Sequence, residues 1–402
     1  MIVGIIGAGA SGMAAALAAA EQKDVQVVLL ERQARVGRKL QATGNGRCNL
    51  TNLHTSVTHY HGENADFVEP ALQRFGLEDT LAWFSQMGLY TVAEPSGRVY
   101  PYSDQANSVV DVLRFALDRP NIRLYTGFEV KKVRAVDSGF SVESDQETIF
   151  CDRLIVACGG LAGTKLGGTI DGYKILQKLG HHCTKLRPTL VQIKSDWSYL
   201  PSLKGVRANC RAQIFWNGQL HSSGKGELQF TEHGLSGPVM FEISRDVCYG
   251  KGDWVCVLDF LPDLDAPLQP MLQRKRETNL PAEELLTGIL HNRLGRVIVK
   301  ESGISGHAPI RQLDDWELEK VCDDVFGLQI PLTEPMGMDA AQVTAGGIVT
   351  TEFDPQTMES KLVPGLYACG EVLDIDGDCG GFNLQWAWSS GRCAGTAAGR
   401  ER

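Results

Sequence analysis

The chain has 402 residues, of which 43% are hydrophobic and 22% are charged, as in an ordinary globular protein of more than one domain. Its net charge of −9 argues against a general nucleic-acid partner or an anionic membrane surface, because such partners require a basic surface. Eleven cysteines without paired spacing predict the reduced thiols of a cytoplasmic protein, and neither a disulfide framework nor a metal site.

The chain opens with an apolar strand that runs into a glycine-rich turn. Residues 2–6 read IVGII, and glycines follow at positions 7, 9 and 12. This spacing is typical of a turn that binds a pyrophosphate against the N-terminus of the next helix. A second strand, residues 25–30, ends at Glu31, whose carboxylate can accept hydrogen bonds from a ribose diol. The predicted dinucleotide contacts in this part are Gly7, Ala8, Gly9, Ala10, Ser11, Gly12, Glu31 and Arg32.

A signal peptide or membrane anchor is the alternative interpretation of the apolar residues 1–20. The stretch has no basic residue at its start and is rich in Gly and Ala rather than Leu. We therefore expect neither a cleaved segment nor a membrane partner.

The pattern of predicted elements divides the chain into three parts. Residues 1–190 alternate strands with helices, as in an α/β domain. Residues 191–335 begin with alternating strands and continue as a helical piece at about 268–326. Residues 336–402 return to glycine-rich strands, which favours completion of the first domain. We therefore predict an α/β fold whose nucleotide-binding domain is split by an inserted domain.

The C-terminal part favours FAD as the bound dinucleotide. Nicotinamide-dependent dehydrogenases normally complete the dinucleotide domain before the substrate domain begins, whereas flavoproteins of the glutathione-reductase type complete it at the C-terminus. Here strands predicted at 346–350 and 366–369 lead to a Gly-Glu strand end that can face the ribityl–phosphate chain, and a helix begins near Asn383. The N-terminus of that helix can stabilise negative charge on the flavin ring. The predicted flavin contacts in this part are Gly370, Glu371, Gly381, Phe382, Asn383 and Leu384.

Two strings of residues carry a resemblance to a known family. They are GNGRCNLTN at 44–52 and CGGFNLQWAWSSG at 379–391, and VTAGG at 343–347 accompanies them. Nearly end to end, the chain resembles the bacterial BaiN-like flavoproteins, a family that also contains aminoacetone oxidases. The resemblance implies a Rossmann-like FAD/NAD(P)-binding domain of the two-dinucleotide-binding type, split by an inserted β-barrel and a small helical domain. Because no His or Tyr lies in the glycine loops, we expect non-covalent FAD.

The resemblance and the residue chemistry together extend the predicted FAD site. Arg38 and Lys39 can meet the pyrophosphate or the adenosine as cations, and Val130 is expected to contact adenine through its main chain. The loop 44–49 offers main-chain amides to one flavin edge, whereas Cys48 lacks the nearby second cysteine that a disulfide reductase requires. The further predicted FAD contacts are Arg38, Lys39, Gly46, Arg47, Cys48, Asn49, Val130, Ala157, Gly159 and Gly160.

The catalytic candidates follow from what a flavin leaves to the protein. Flavin carries the hydride chemistry itself, so the protein supplies an electrophile for a substrate carbonyl and a proton donor. Our candidates are Arg47, Tyr100 and His233. Tyr100 can donate to a carbonyl oxygen, and His233 can titrate near neutral pH and deliver a proton. The alternatives are a tyrosine that only packs in a core and a histidine that is hydrogen-bonded for structure alone.

The sequence predicts an FAD-dependent oxidoreductase that transfers a hydride between flavin and a small or steroid-like organic substrate. No second strand–GxGxxG–helix unit follows the first, so NADH or NADPH is expected only as a transient reductant. We favour an NAD(P)H-linked reductase of an activated C=C bond over an amine oxidase of the aminoacetone type that uses oxygen. A non-catalytic FAD-binding redox sensor and an FAD-dependent RNA-modifying protein are the alternatives from other classes, and the acidic charge disfavours the second.

Overall fold

A computed structural model describes residues 1–250 and 252–400. The described residues form two compact units. The first consists of Met1–Arg187 with the C-terminal part from Ala341 onwards, and the second consists of Pro188–Ala340. The sequence places the corresponding borders at 190/191 and 335/336.

Strands and α-helices run through both units. Within the described residues, the strands β1 to β21 are Ile2–Ile6, Gln26–Glu31, Thr51–Asn52, Tyr60–His61, Thr91–Ala93, Arg98–Pro101, Ile122–Thr126, Lys132–Val136, Gly139–Glu143, Thr148–Cys151, Arg153–Val156, Arg187–Thr189, Ile193–Lys194, Arg207–Trp216, Gln219–Phe230, Gly234–Ser236, Trp254–Asp259, Leu328–Leu332, Val343–Ala345, Leu366–Ala368 and Asp376–Gly377. The helices α1 to α12 are Ala10–Ala20, Arg38–Ala42, Glu69–Arg74, Leu77–Gln86, Ala106–Ala116, Asp171–Lys178, Leu200–Leu203, Pro238–Tyr249, Gln269–Lys275, Asn292–Glu301, Asp315–Gly327 and Phe382–Gly399. No helix among these described residues is both long and apolar enough to cross a membrane.

A five-stranded parallel sheet in the order β20–β11–β1–β2–β7 forms the centre of the first unit. Its inner strands are apolar runs, and every residue of β11 is buried, as is usual for a parallel sheet covered on both faces. Ile6 pairs in register with Leu30 and with Val156, so β1, β2 and β11 end at one edge. Strand β20 from the C-terminal part pairs with β11. The predicted α/β fold with a Rossmann-like parallel sheet is confirmed.

Small residues allow α12 to lie directly on α1. Helix α1 reads ASGMAAALAAA, and α12 carries Gly391 and Gly395 one turn apart. A Cβ at Gly395 would lie 2.1 Å from the Ala15 carbonyl oxygen, and a Cβ at Gly391 would lie 2.4 Å from the Ser11 carbonyl oxygen. Both glycines are therefore needed for the contact that holds the helix of the phosphate turn.

We expect Gly395→Ala to destabilise the first unit by about 1–3 kcal/mol or more, the usual cost of overpacking a close contact. The added methyl group must displace main-chain atoms of α1, because no flexible side chain lies between the helices. Urea unfolding followed by circular dichroism measures the effect, with Thr396→Ala at a partly exposed position of α12 as control. Equal stability of the two variants would contradict this packing.

The second unit contains a six-stranded antiparallel sheet in the order β13–β16–β15–β14–β17–β18. The main chain at 192–194 also hydrogen-bonds to residues 333–336, which follow β18, so the two edges nearly close into a barrel. Buried residues alternate along β17, where Trp254, Cys256 and Leu258 lie in the core. The inserted β-barrel that the family resemblance implies is confirmed.

The helical piece predicted at about 268–326 consists of three helices, α9, α10 and α11. The connections between them are held by a main-chain bridge between Pro281 and Pro309, residues that cannot continue a helical hydrogen-bond ladder. Helix α11 begins with a capping box, in which Asp314 accepts from the Glu317 N–H at 2.8 Å and Glu317 accepts from the Asp314 N–H at 2.9 Å.

One predicted strand lies elsewhere in the structure. The sequence predicts a strand at 346–350, whereas β19 ends at Ala345, immediately before it. Gly346 has φ +86°, a left-handed conformation that ends a strand, and a Cβ there would lie 2.4 Å from the Lys185 carbonyl oxygen. The strand prediction was wrong because Gly346 forms a turn and allows the main chain to approach Lys185 closely.

His181 is buried in the first unit against Glu352 and Ser360. The His181 side chain is fully buried, with Nδ1 2.7 Å from Glu352 Oε2 and Nε2 2.9 Å from Ser360 Oγ. Burial lowers the pKa of His181 below its ordinary value of 6.5 and outweighs the opposing effect of Glu352. The imidazole is therefore held in its neutral form.

We expect the free energy of unfolding to fall as the pH drops below about 6.5, because the unfolded chain then binds a proton at His181 that the folded chain binds only at lower pH. This contribution is complete above the unfolded pKa and is lost as the pH falls toward the folded pKa. Denaturant unfolding between about pH 5 and pH 7 measures it. His181→Gln should flatten the dependence, and the exposed His307→Gln should not; a dependence unchanged in His181→Gln would refute the assignment.

Candidate active site

The first predicted turn leaves open space beside the N-terminus of α1. Gly7 has φ +104°, and a Cβ there would lie 2.5 Å from the Ala157 carbonyl oxygen. A Cβ at Gly12 would lie 1.8 Å from the Gly7 carbonyl oxygen, so these two glycines serve packing within the protein. A Cβ at Gly9 would meet no atom within 4 Å. Gly9 therefore leaves open space at the N-terminus of α1, where a phosphate can approach main-chain amides.

The Glu31 carboxylate is fixed beside this turn. Its Oε2 accepts a hydrogen bond from the Ala8 N–H at 2.9 Å, and its Oε1 accepts one from the Gln33 N–H at 2.8 Å. Each oxygen keeps a second acceptor site, which suits a ribose hydroxyl. Val130 lies two residues after Phe128, whose N–H donates to the Glu31 carbonyl at 2.9 Å. The segment predicted to contact adenine therefore runs past the same strand end.

The arginines near this turn bind protein groups. Arg32 Nη2 donates to the Gly167 carbonyl oxygen at 2.8 Å, and Nη1 lies 3.5 Å from Asp171 Oδ2. Arg38 Nη1 donates to Gln33 Oε1 at 2.9 Å and its side chain is exposed. Arg32 therefore ties the chain around Gly167 to β2, whereas Arg38 is a surface cation close to the end of that strand.

Lys39 and Glu371 form an ion pair between the N-terminal and C-terminal parts of the first unit. Lys39 Nζ lies 2.8 Å from Glu371 Oε2, and the Glu371 side chain is 20% exposed. Glu371 Oε1 also accepts from the Thr344 N–H at 2.8 Å. A Cβ at Gly160 would lie 2.4 Å from this oxygen, whereas a Cβ at Gly159 would meet no atom within 4 Å. The two predicted strand ends thus meet beside an opening at Gly159.

Helix α12 begins directly after two glycines. Gly381 has φ +104°, and a Cβ there would lie 2.4 Å from the Thr51 carbonyl oxygen. Gly370 packs on the start of α1 in a similar way, since a Cβ there would lie 2.5 Å from Ser11 Oγ. Asn383 Oδ1 accepts from the Gly377 N–H at 2.8 Å and holds the chain that leads into the helix. The amides of 382–384 therefore lie at a fixed, positive helix end.

Arg47 and Tyr100, two of the three catalytic candidates, lie in contact. The Arg47 guanidinium carbon is 3.9 Å from the centroid of the Tyr100 ring. Arg47 Nη2 lies 3.0 Å from Glu94 Oε1, and Nε contacts the Asp104 carboxylate. Burial, followed by the charge of Glu94, raises the pKa of Tyr100, so the phenol stays protonated at neutral pH. The pair therefore combines a cation with a hydroxyl donor.

The loop that carries Arg47 uses unusual main-chain conformations. Gly44 has φ +57°. A Cβ at this position would lie 3.3 Å from Cε1 of the Tyr100 ring, so the glycine leaves room for the ring. A Cβ at Gly46 would meet no atom within 4 Å. Cys48 is fully buried, and burial raises the pKa of its thiol to about 12, so it remains a neutral thiol. Asn49 Oδ1 accepts from the main chain of β6 at 3.2 Å.

His233, the third catalytic candidate, belongs to the second unit. It lies in the turn between β15 and β16 and is exposed. Its carbonyl oxygen accepts from the Ser195 N–H at 3.0 Å, and its N–H donates to Thr231 Oγ1 at 3.4 Å. The main chain of His233 is therefore part of the barrel, and its imidazole lies at the surface of that unit.

The sequence did not predict a cluster of His59, His61 and Asp378 that lies beside α12. His59 Nδ1 lies 2.9 Å from Asp378 Oδ2, and His61 Nε2 lies 2.7 Å from Asp378 Oδ1. The His59 ring stacks on the Phe382 ring at 4.2 Å. The His-x-His spacing at residues 59–61 was the available signal in the sequence. No group of three His, Cys, Asp or Glu residues in the described chain is arranged to hold a metal ion.

Comparisons with known proteins identify the family of this chain. Residues 1–397 match the family described as the HI0933-like protein Rossmann domain. The chain is 39% identical to the 3-dehydro-bile acid delta(4,6)-reductase of Clostridium scindens, over 98% of each chain. It is 32% identical to the ribosomal RNA dihydrouridine synthase of Escherichia coli, over 96% of this chain and 95% of that one.

Solved structures show the same fold. The 3-ketosteroid delta1-dehydrogenase of Sterolibacterium denitrificans superposes with a TM-score of 0.51 over 99% of each chain, at 14% identity. The quinol fumarate reductase subunit FrdA of E. coli also gives a TM-score of 0.51, over 99% of this chain and 70% of that one, at 17% identity. The open phosphate turn, the glycine strand ends and the family match agree, so the chain belongs to the HI0933-like Rossmann family, the BaiN-like flavoproteins, and is an FAD-dependent oxidoreductase.

Proposed function

We propose that this protein is an NAD(P)H-linked reductase of a C=C bond conjugated with a carbonyl group, acting on a small, steroid-like substrate. The observation that carries the proposal is the 39% identity, over nearly the full length of both chains, to a protein named as a bile-acid Δ4,6-reductase. The second relative supports the same chemistry, because dihydrouridine is a uridine that has gained two hydrogens.

The contact between Arg47 and Tyr100 supports this reaction type. When bound, FAD supplies the hydride that attacks the β-carbon of the conjugated system. The electron pair of the C=C bond then moves toward the carbonyl oxygen, where a cation and a hydroxyl donor stabilise the developing charge. Arg47 has five N–H donors, of which Glu94 and Asp104 engage only some, so donors remain for a substrate oxygen.

A uridine of ribosomal RNA is the second candidate substrate. The dihydrouridine synthases of E. coli and Haemophilus influenzae, at 32% and 28% identity, favour it. The net charge of −9 opposes it, because an RNA-binding surface gains affinity from basic residues that neutralise phosphates. We therefore rank it below the steroid-like substrate.

Product analysis tests both candidates. The purified protein with NADH or NADPH is given either a conjugated 3-keto steroid or unmodified ribosomal RNA, under nitrogen, and products are read by mass spectrometry. We expect the steroid to gain two hydrogens for each nicotinamide oxidised and the RNA to remain unchanged. Dihydrouridine in the RNA together with an intact steroid would assign the second substrate, and no reduced product from either would overturn the proposed function.

A further inference from the structure

We propose that His59 is the proton donor of this active site, held by Asp378, whose second carboxylate oxygen is held by His61. The proposal rests on the proposed reduction of a C=C bond, which needs a proton as well as a hydride. In this assignment Nε2 of His59 delivers the proton to the substrate carbon next to the carbonyl group. Asp378 and His61 act through His59 and are positioning residues.

A short antiparallel pairing of main chains brings the three side chains together. Strand β4 pairs antiparallel with β21, so that His61 lies opposite Asp376, and the Asp378 N–H donates to the His59 carbonyl at 2.9 Å. His59 ends a 3₁₀ turn, Val57–His59, directly before β4, and its ring and that of His61 converge on the two oxygens of Asp378. Tyr60 is buried and donates to the Phe382 carbonyl at 3.0 Å, which fixes the strand against the start of α12.

The hydrogen bonds select the ring nitrogen that can react. His59 Nδ1 lies 2.9 Å from Asp378 Oδ2, so its other nitrogen, Nε2, is left for proton transfer. A carboxylate on Nδ1 fixes the tautomer and stabilises the charged imidazolium, as in hydrolase triads. Asp378 is able to do so as an anion: burial raises its pKa, but hydrogen bonds from His61 and His59 outweigh burial and lower it.

The cluster is partly exposed and lies beside the start of α12. The side chains of His59, His61 and Asp378 are 33%, 33% and 37% exposed, unlike the fully buried His181 of the same unit. The His59 ring stacks on Phe382 at an interplanar angle of 15°, at the helix end whose amides we expect to face the flavin ring.

The proton balance closes with these groups. The hydride forms a C–H bond at the β-carbon, and the displaced π electrons leave a basic α-carbon that takes the proton from His59 Nε2. His59 is then neutral, with its remaining proton on Nδ1 against Asp378, and its Nε2 regains a proton directly from solvent, to which the side chain is 33% exposed. Tyr60 and Asp376, the other titratable groups on the paired strands, are both buried.

Three variants test the role of the cluster: His59→Gln, His61→Gln and Asp378→Asn, with the exposed His307→Gln as matched control. We expect normal FAD content and normal reduction of the flavin by NAD(P)H in all four. Product formation should fall about a hundredfold or more in His59→Gln, through kcat rather than KM, and less in the other two variants of the cluster. Exogenous imidazole should restore part of the rate to His59→Ala, which distinguishes a lost acid from a damaged fold.

A second measurement does not depend on turnover. In ¹⁵N-histidine spectra of the FAD-loaded protein, we expect His59 Nδ1 to be protonated and hydrogen-bonded to Asp378, this signal to change in Asp378→Asn, and the Nε2 signal to shift when the conjugated steroid is added. If wild type reduces the substrate while His59→Gln retains its kcat, this inference fails and the proposed function stands. If wild type reduces no substrate, the proposed function fails, and a His59 signal indifferent to ligand and to Asp378→Asn would overturn the inference separately.

Discussion

The Gly9→Val variant is expected to fold normally and to purify without flavin. A Cβ at position 9 would meet no protein atom within 4 Å, and the position is free of left-handed strain, so we expect the apoprotein to accommodate a side chain there. The same side chain fills the space through which a pyrophosphate reaches the amides of α1. Loss of two amide–phosphate hydrogen bonds of about 1.5 kcal/mol each weakens binding by about 3 kcal/mol, about a hundredfold in Kd.

The ratio of flavin absorbance to protein absorbance measures this effect, and circular dichroism reports the fold. Gly337→Val is the matched control, because Gly337 is exposed, lies outside the left-handed region and has only an ordinary contact of 3.5 Å at its Cβ position. A Gly9→Val protein that stays as yellow as this control would show that the turn is not the phosphate site.

Arg47→Ala is expected to lower kcat/KM for the reduced substrate about a hundredfold while FAD content stays normal. Removal of a donor at a developing negative charge costs about 3 kcal/mol in comparable sites. The effect should be almost as large in Arg47→Lys, because an ammonium group reproduces neither the stacking on Tyr100 nor the two carboxylate contacts. Steady-state kinetics with the conjugated steroid measures both variants.

Arg114→Ala is the control for this experiment. Arg114 also lies over an aromatic ring, 4.6 Å from the Phe115 centroid, and pairs with Asp111 at 3.2 Å, but it lies on the exposed side of α5. Equal rates in Arg47→Ala and Arg114→Ala would place the carbonyl elsewhere and leave Tyr100 or His233 as the group that polarises it.

The positions of the glycines, together with the apolar runs, predicted the turn at the start of the chain and the strands of the parallel sheet. Gly7, Gly9 and Gly12 predicted the turn because each position requires a glycine for a different physical reason. In the structure Gly7 and Gly12 are closely packed, whereas Gly9 borders open space. Apolar runs predicted the strands of the parallel sheet, because a strand that is buried on both faces of a sheet consists of apolar residues. The strand expected at 346–350 failed because glycine also serves turns, and composition alone does not distinguish the two uses.

The contacts that decide the site were beyond the sequence because they join distant residues. Lys39 meets Glu371, and His59 meets Asp378, across more than 300 residues of chain. Single-residue chemistry selected Arg47 and Tyr100, but the stacking between them depends on the loop conformation at Gly44. For His59 the sequence showed only a His-x-His spacing. The role that we propose for this histidine depends on the Asp378 carboxylate, which the C-terminal part of the chain supplies.

We expect a nicotinamide to reduce the flavin of this protein and a conjugated C=C bond to reoxidise it. An anaerobic stopped-flow experiment tests it most directly, by following the flavin absorbance after mixing with NADH or NADPH and then with the conjugated steroid. We predict that the absorbance bleaches with one of the two nicotinamides and returns on addition of the steroid without oxygen. A flavin that neither nicotinamide bleaches, but that aminoacetone bleaches and only oxygen restores, would contradict the claim and identify an amine oxidase.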